Sequence, residues 1–116
     1  MKYLCLIYED ETIWPKMSKA EGDRFMADYG ALTSDIQKSG QLLAGHALQP
    51  TASATTVRVR NGKTLSTDGP FAETKEQLGG FYLVEASDLN TAIQIAARIP
   101  SAKYGSIEVR PIMTFG

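Results

Sequence analysis

Residues 79–100 read Gly79-Gly80-Phe81-Tyr82-Leu83-Val84-Glu85-Ala86-Ser87-Asp88-Leu89-Asn90-Thr91-Ala92-Ile93-Gln94-Ile95-Ala96-Ala97-Arg98-Ile99-Pro100. The Gly79-Gly80 pair punctuates the chain, and Phe81 to Val84 is a short run with apolar residues on both faces, which predicts a buried strand. Asp88 is a good helix N-cap. Leu89, Ala92, Ile93, Ala96 and Ile99 recur at helical spacing and are expected to face inward. Pro100 ends the helix.

The same strand-then-helix pattern opens the chain. Tyr3 to Tyr8 is too short for a helix and apolar on both faces, so it reads as a second buried strand. Trp14-Pro15-Lys16 reads as a loop. Ser18 with Glu21 three residues on is a capping box, followed by a stripe of Phe25, Tyr29, Leu32 and Ile36 that Gly40 terminates. Gly30, inside that helix, costs about 1 kcal/mol against alanine and suggests close packing there. Between these halves lie Leu42–Leu48, a strand in which Gly45 marks a bulge or close approach, and a hairpin. Its strands are Thr55–Arg60 and Lys63–Thr67, joined by Asn61-Gly62, the strongest short hairpin signal. Asp68-Gly69-Pro70-Phe71 is a turn. Ile107–Ile112 is the last strand.

The order is strand, helix, strand, hairpin, strand, helix, strand. Without the hairpin it is the ferredoxin-like split βαβ: an α+β fold with both helices on one face of an antiparallel sheet. A chain of 116 residues supports one domain, 1–116. Two strands with two apolar faces require cover on both sides of the sheet. One chain lacks the elements for the second side, which predicts a homodimer with its two sheets packed face to face.

Composition narrows the partners. A net charge of −1 gives no footprint for nucleic acid or an anionic membrane. No stretch approaches the apolar length of a membrane helix, and the N-terminal run is too short for a secretion signal. A single cysteine excludes an internal disulfide, and a reduced Cys5 fits the cytoplasm. Asn61-Gly62-Lys63-Thr64 lacks the first glycine of a phosphate-binding loop, since Val57 stands there. The lone histidine, His46, rules out sites that need two imidazoles in one chain and is a weak ligand signal for metal or haem. No cofactor is expected.

The segment Asp68-Gly69-Pro70-Phe71-Ala72-Glu73-Thr74-Lys75-Glu76-Gln77-Leu78-Gly79-Gly80-Phe81-Tyr82, with Ala54–Arg58 before it and Ala97–Ser101 and Gly105–Pro111 after, resembles the YCII-related family in its Asp-Gly-Pro-Phe (DGPF) branch. The resemblance runs over nearly the whole chain and implies a dimeric α/β barrel. Relatives in that superfamily include cofactor-free monooxygenases, isomerases and haem enzymes. Members of the family are suspected enzymes in which a His and an Asp meet in a cleft, and some of this branch occur alongside extracytoplasmic-function sigma factors. This sequence departs from the pattern: its first helix has Asp28 and Tyr29 where short members carry the histidine, and its only histidine lies on the second strand.

Two residues stand out for catalysis. Asp68 either holds its turn by accepting backbone N–H bonds or acts as a general base at the mouth of a cleft. His46 is either a packed or surface residue or the proton shuttle, because its ordinary pKa lies near neutrality. Arg58 and Arg110 are candidates to hold an anionic group through their planar forks, although Arg110 can instead pair with Glu108. Lys75 can bind a substrate carboxylate, or belong with Glu73 and Glu76 to a short solvated helix start. Tyr82 supplies either a cleft hydroxyl or core packing. Trp14 is a candidate lid or dimer contact. Two functions compete, beside a third reading as a purely structural dimer. One is an enzyme doing acid–base chemistry on a small anionic organic molecule. The other is a non-catalytic module that senses a ligand and signals to a partner.

Overall fold

A computed structural model describes residues 1–116. Its elements are β1 (Lys2–Glu9), α1 (Ile13–Lys16), α2 (Lys19–Lys38), β2 (Leu42–Ala47), β3 (Thr55–Arg60), β4 (Lys63–Asp68), β5 (Gln77–Glu85), α3 (Leu89–Arg98) and β6 (Ser106–Pro111). Short 3₁₀ turns occupy Thr51–Ser53 and Pro100–Lys103. The main sheet has the order β2-β5-β1-β6, and every neighbouring pair is antiparallel. The fold is α+β, and this strand order is that of the ferredoxin-like arrangement. β3 and β4 form a separate two-stranded sheet.

The local chemistry explains the boundaries. Ser18 accepts from the Glu21 N–H at 3.1 Å while the Glu21 carboxylate accepts from the Ser18 N–H at 3.3 Å. This reciprocal cap fixes the start of α2 and is worth about 1 kcal/mol. At the other end Gly40 has φ +77°, with Gln41 N–H bonded to Ile36 O and Gly40 N–H to Gln37 O, the paired bonds of a Schellman stop. Asn61 and Gly62 both have positive φ, as a two-residue hairpin turn with the right twist demands. Asp88 accepts from the Thr91 N–H at 2.8 Å and starts α3.

Tyr3, Cys5 and Ile7 of β1 form one buried core with Leu32 and Ile36 of α2 and with Ala92, Ile95, Ala96 and Ile99 on and just after α3. Both long helices therefore cover one sheet face. On α3 the inward line runs through Ile95 rather than Leu89 and Ile93, which are about half exposed. At about 100° per residue, Ile93 sits a quarter-turn away from the line that Ala92, Ile95, Ala96 and Ile99 define.

Four other expectations need correction. Trp14-Pro15-Lys16 is helical, because the Asp10 carboxylate accepts from both the N–H and hydroxyl of Thr12 and nucleates the turn. Residues 73–76 are irregular, not a helix start: Thr74 Oγ1 bonds Glu76 O and Gln77 Nε2 bonds Thr74 O, which competes with a helical ladder. β5 begins at Gln77, so Gly79-Gly80 lies inside a strand, not at its boundary. Gly30 faces open space, and close packing does not explain it.

The opposite sheet face is open. Leu4, Leu6 and Tyr8 point there, in register with Leu83, Phe81 and Leu78 of β5, and all are apolar. The molecule spans 48 × 47 × 19 Å. The short dimension holds one sheet and one helix layer, since a helix with its side chains is about 10–12 Å thick. The radius of gyration is 16.2 Å, against about 13 Å for a compact domain of this length. The β3–β4 hairpin accounts for the excess: every residue of β4 is exposed, and Val57 and Val59 on β3 are each 60% exposed.

Candidate functional site

The sequence leaves a gap between sheet and helices. Gly45 on β2 and Gly79 and Gly80 on β5 carry no side chains into the space opposite α1 and the start of α2. The result is a cleft of about 560 Å³, within the range of small-molecule sites. Close packing fixes two of these glycines. A Cβ on Gly45 would stand 2.6 Å from the Tyr82 ring, and one on Gly80 would stand 2.8 Å from His46 O. Gly45 is thus a point of close approach, as its place in a strand suggests. Gly79 sits where the β1–β5 register shifts between Ile7 and Tyr8, a bulge beside the cleft.

Three aromatic residues wall the cleft: Trp14 from α1, Tyr29 from α2 and Tyr82 from β5. Trp14 packs edge-on against Phe25 at 4.4 Å between centroids, and Phe25 against Tyr29 at 5.2 Å. The Tyr82 hydroxyl is 2.7 Å from Thr33 Oγ1, and the Tyr29 hydroxyl pairs with Ser101. Trp14 is a fixed wall of the cleft.

The cleft's most buried charged group is Glu9, 9% exposed. Its phase on β1 continues Tyr3, Cys5 and Ile7 inward, so the strand delivers a carboxylate where the pattern calls for an apolar residue. Trp14 Nε1 donates to Glu9 Oε1 at 2.9 Å. Glu11 also lines the cleft, but both its oxygens are occupied: Thr51 N–H donates to one at 2.7 Å and Thr51 Oγ1 to the other at 2.8 Å. That pair ties the end of β1 to the turn after β2. No lysine or arginine lines the cleft.

Of the six residues singled out from sequence, His46 and Tyr82 line this cleft. His46 borders it from β2, but its ring shares the open sheet face with its partner Phe81, meeting that ring edge-on at 5.8 Å, and so is turned away from Glu9. Asp68 does not share the cleft. It is exposed at the end of β4, and the turn after it is held instead by Gly69 N–H to Ala54 O and Thr56 Oγ1 to Gly69 O. Arg58 is on the hairpin and donates to Phe71 O at 3.4 Å. Lys75 is exposed in the loop after β4. Arg110 lies on the open sheet face, 3.8 Å from Glu108, the neighbour pairing that its spacing allows. The anion-holding set is therefore absent from the cleft of its own chain. Glu9 and Trp14 form the polar contact that sequence reading missed, although an acid in phase with three inward apolar residues is a legible signal.

Burial pushes the Tyr29 hydroxyl up to about 12 from its ordinary 10.0; the nearby Glu9 charge adds to this and the Ser101 hydrogen bond opposes it. Burial likewise pushes the Cys5 thiol up to about 11 from 9.0. Both groups stay protonated in the folded chain after the unfolded chain has released its protons. Their contribution is fully present below about pH 9 and is lost as pH rises toward 12. Thermal unfolding measured from pH 8 to 12 is expected to show a falling Tm, with a shallower fall above pH 10 in Tyr29→Phe. Identical profiles for the two proteins would contradict this.

Over its full length, residues 1–116, the chain matches the model of the YCII-related domain. It is 41% identical over 117 aligned residues to an uncharacterized protein of Rhizobium meliloti strain 1021, covering 99% of this chain and 94% of that one. No helix is long and apolar enough to cross a membrane. On the match across its whole length and the identity to this relative, the chain belongs to the YCII-related family.

Proposed function

We propose that this is a cytoplasmic homodimer of the dimeric α/β-barrel type, in the DGPF branch, whose two sheets pack through their open faces and whose clefts each bind a small, largely apolar organic molecule and move a proton on it. The observation that carries the reading is the cleft itself: aromatic walls, no filling side chain above three glycines, and one carboxylate, that of Glu9, in its interior. Glu9 is the general base or acid. Asp68, Arg58 and Lys75 ride on the projecting hairpin and its following loop, so a role for them in a cleft is a role in the partner subunit's cleft.

The dimer follows from layers. A sheet with helices on one side and Leu4, Leu6 and Phe81 on the other needs a second apolar layer, and a second copy of the same face is the symmetric solution.

The test is a thermal-shift screen of small aromatic and enolisable compounds, followed by product analysis of each compound that stabilises the protein. A ligand at 100 times its Kd adds about 2.7 kcal/mol, a shift of several degrees for a domain this size. Hits converted to product support the enzyme. Hits that come back unchanged support the second reading, a sensor that signals to a protein partner such as an extracytoplasmic-function sigma factor. That reading draws on the exposed apolar residues of the hairpin and its loop, Phe71 at 79% foremost. No hit at all removes both.

A further inference from the structure

The charges around the cleft say which molecules it accepts. Both ionisable acids that line it, Glu9 and Glu11, carry negative charge, and no lysine or arginine answers them. Glu11 has its oxygens satisfied by Thr51. Glu9 does not: it receives one hydrogen bond, from the uncharged Trp14 indole, and none of the chain's ion pairs involves it. No buried side-chain oxygen of the chain lacks a partner, so the free Glu9 oxygen faces the open space of the cleft, where a ligand's counter-charge can reach it in surroundings that screen charge less than bulk water does.

The walls fit the same counter-charge. Trp14, Tyr29 and Tyr82 present ring surface to the cleft, and aromatic faces attract cations. The two tyrosine hydroxyls are engaged with Ser101 and Thr33, and the Gln49 amide, whose oxygen accepts from Ser53, offers a ligand's carboxylate or phosphate only an uncharged donor. An anion entering here loses its water, finds two negative charges and gains no cationic partner.

Resting on the reading of this cleft as a small-molecule site, we infer that its ligand is an organic cation: a primary or secondary ammonium on an aromatic or apolar body, its nitrogen at Glu9 and its body between Trp14 and the tyrosines. The match of a buried carboxylate that has a free oxygen to an aromatic cleft devoid of basic groups is what carries this.

Three probes of one shape and different charge test it: 2-phenylethylamine, 2-phenylethanol and phenylacetate, each titrated calorimetrically into the wild-type protein and Glu9→Gln. The amine is expected to bind the wild type about tenfold tighter than the alcohol, a difference of about 1.4 kcal/mol, with phenylacetate weakest. Glu9→Gln, which preserves shape and removes the charge, is expected to lose that tenfold for the amine and leave the alcohol within about twofold. Phenylacetate binding as tightly as the amine, or amine affinity unchanged in Glu9→Gln, overturns the cation assignment while leaving the cleft a ligand site. Failure of all three probes to bind overturns both.

Discussion

Leu6→Lys is expected to yield a folded protein that no longer self-associates. Leu6 lies on the open sheet face, in register with Phe81 on β5. In a single chain that position faces solvent, and a lysine there keeps its ammonium in water. In a face-to-face dimer the two-fold axis places the substitution in the interface twice. Glu108 stands directly across the strand pair from this position, but burying the lysine with it strips both charges of water and costs on the order of 2 kcal/mol per lysine. Two of them weaken association by about 4 kcal/mol, on the order of a thousandfold in Kd. Light scattering at micromolar concentration is expected to give twice the chain mass for the wild type and the single-chain mass for Leu6→Lys, with helical circular dichroism unchanged. A wild type that scatters as a single chain would contradict the dimer outright.

Gly105→Ala is expected to be among the most damaging single-methyl changes in the protein. A Cβ there would lie 2.1 Å from Tyr8 O and 2.9 Å from Glu9 Cα. Both are backbone atoms, so no side chain can swing aside. The chain must instead move where β6 begins its pairing with β1, at Ser106 opposite Tyr8. Overpacking of this kind costs about 3 kcal/mol, roughly a 10 °C fall in Tm for a domain of this length. The displacement also reaches Glu9 and so the cleft, so ligand binding is expected to weaken with stability. Gly22→Ala is the control, because a Cβ there meets nothing within 4 Å. Equal Tm values for the two variants would show that the close approach is not the cause.

The parts of this fold written in local sequence were readable from it. The capping box at Ser18, the turn at Asn61-Gly62 and the cap at Asp88 involve residues a few positions apart, and each does what its chemistry predicts. The order of the main sheet followed from counting strands and helices. What local sequence does not encode is direction. The hairpin was recognisable as an insertion, but nothing in Thr55–Asp68 tells that it points away from the body, and that direction is what separates Asp68, Arg58 and Lys75 from His46.

The cleft was half legible for the same reason. Gly45 announced a close approach, whereas Gly79-Gly80 looked like a boundary because two adjacent glycines usually end a strand. Only the pairing of β5 with β1 and β2 shows them as a strand interior with missing side chains. Glu9 was visible all along as the fourth inward position of β1. Its meaning came from Trp14, five residues later, whose indole reaches back to it across the start of α1.

Trp14 also supplies the most direct measurement. It is the chain's single tryptophan, so its indole N–H is one resolved signal in a nitrogen–proton correlation spectrum, and that N–H is the one bonded to Glu9. Titration with 2-phenylethylamine is expected to move this signal saturably, together with the backbone amides of Gly45, Gly79 and Gly80. An indole signal that stays in place while amides elsewhere shift would contradict the cleft as the ligand site.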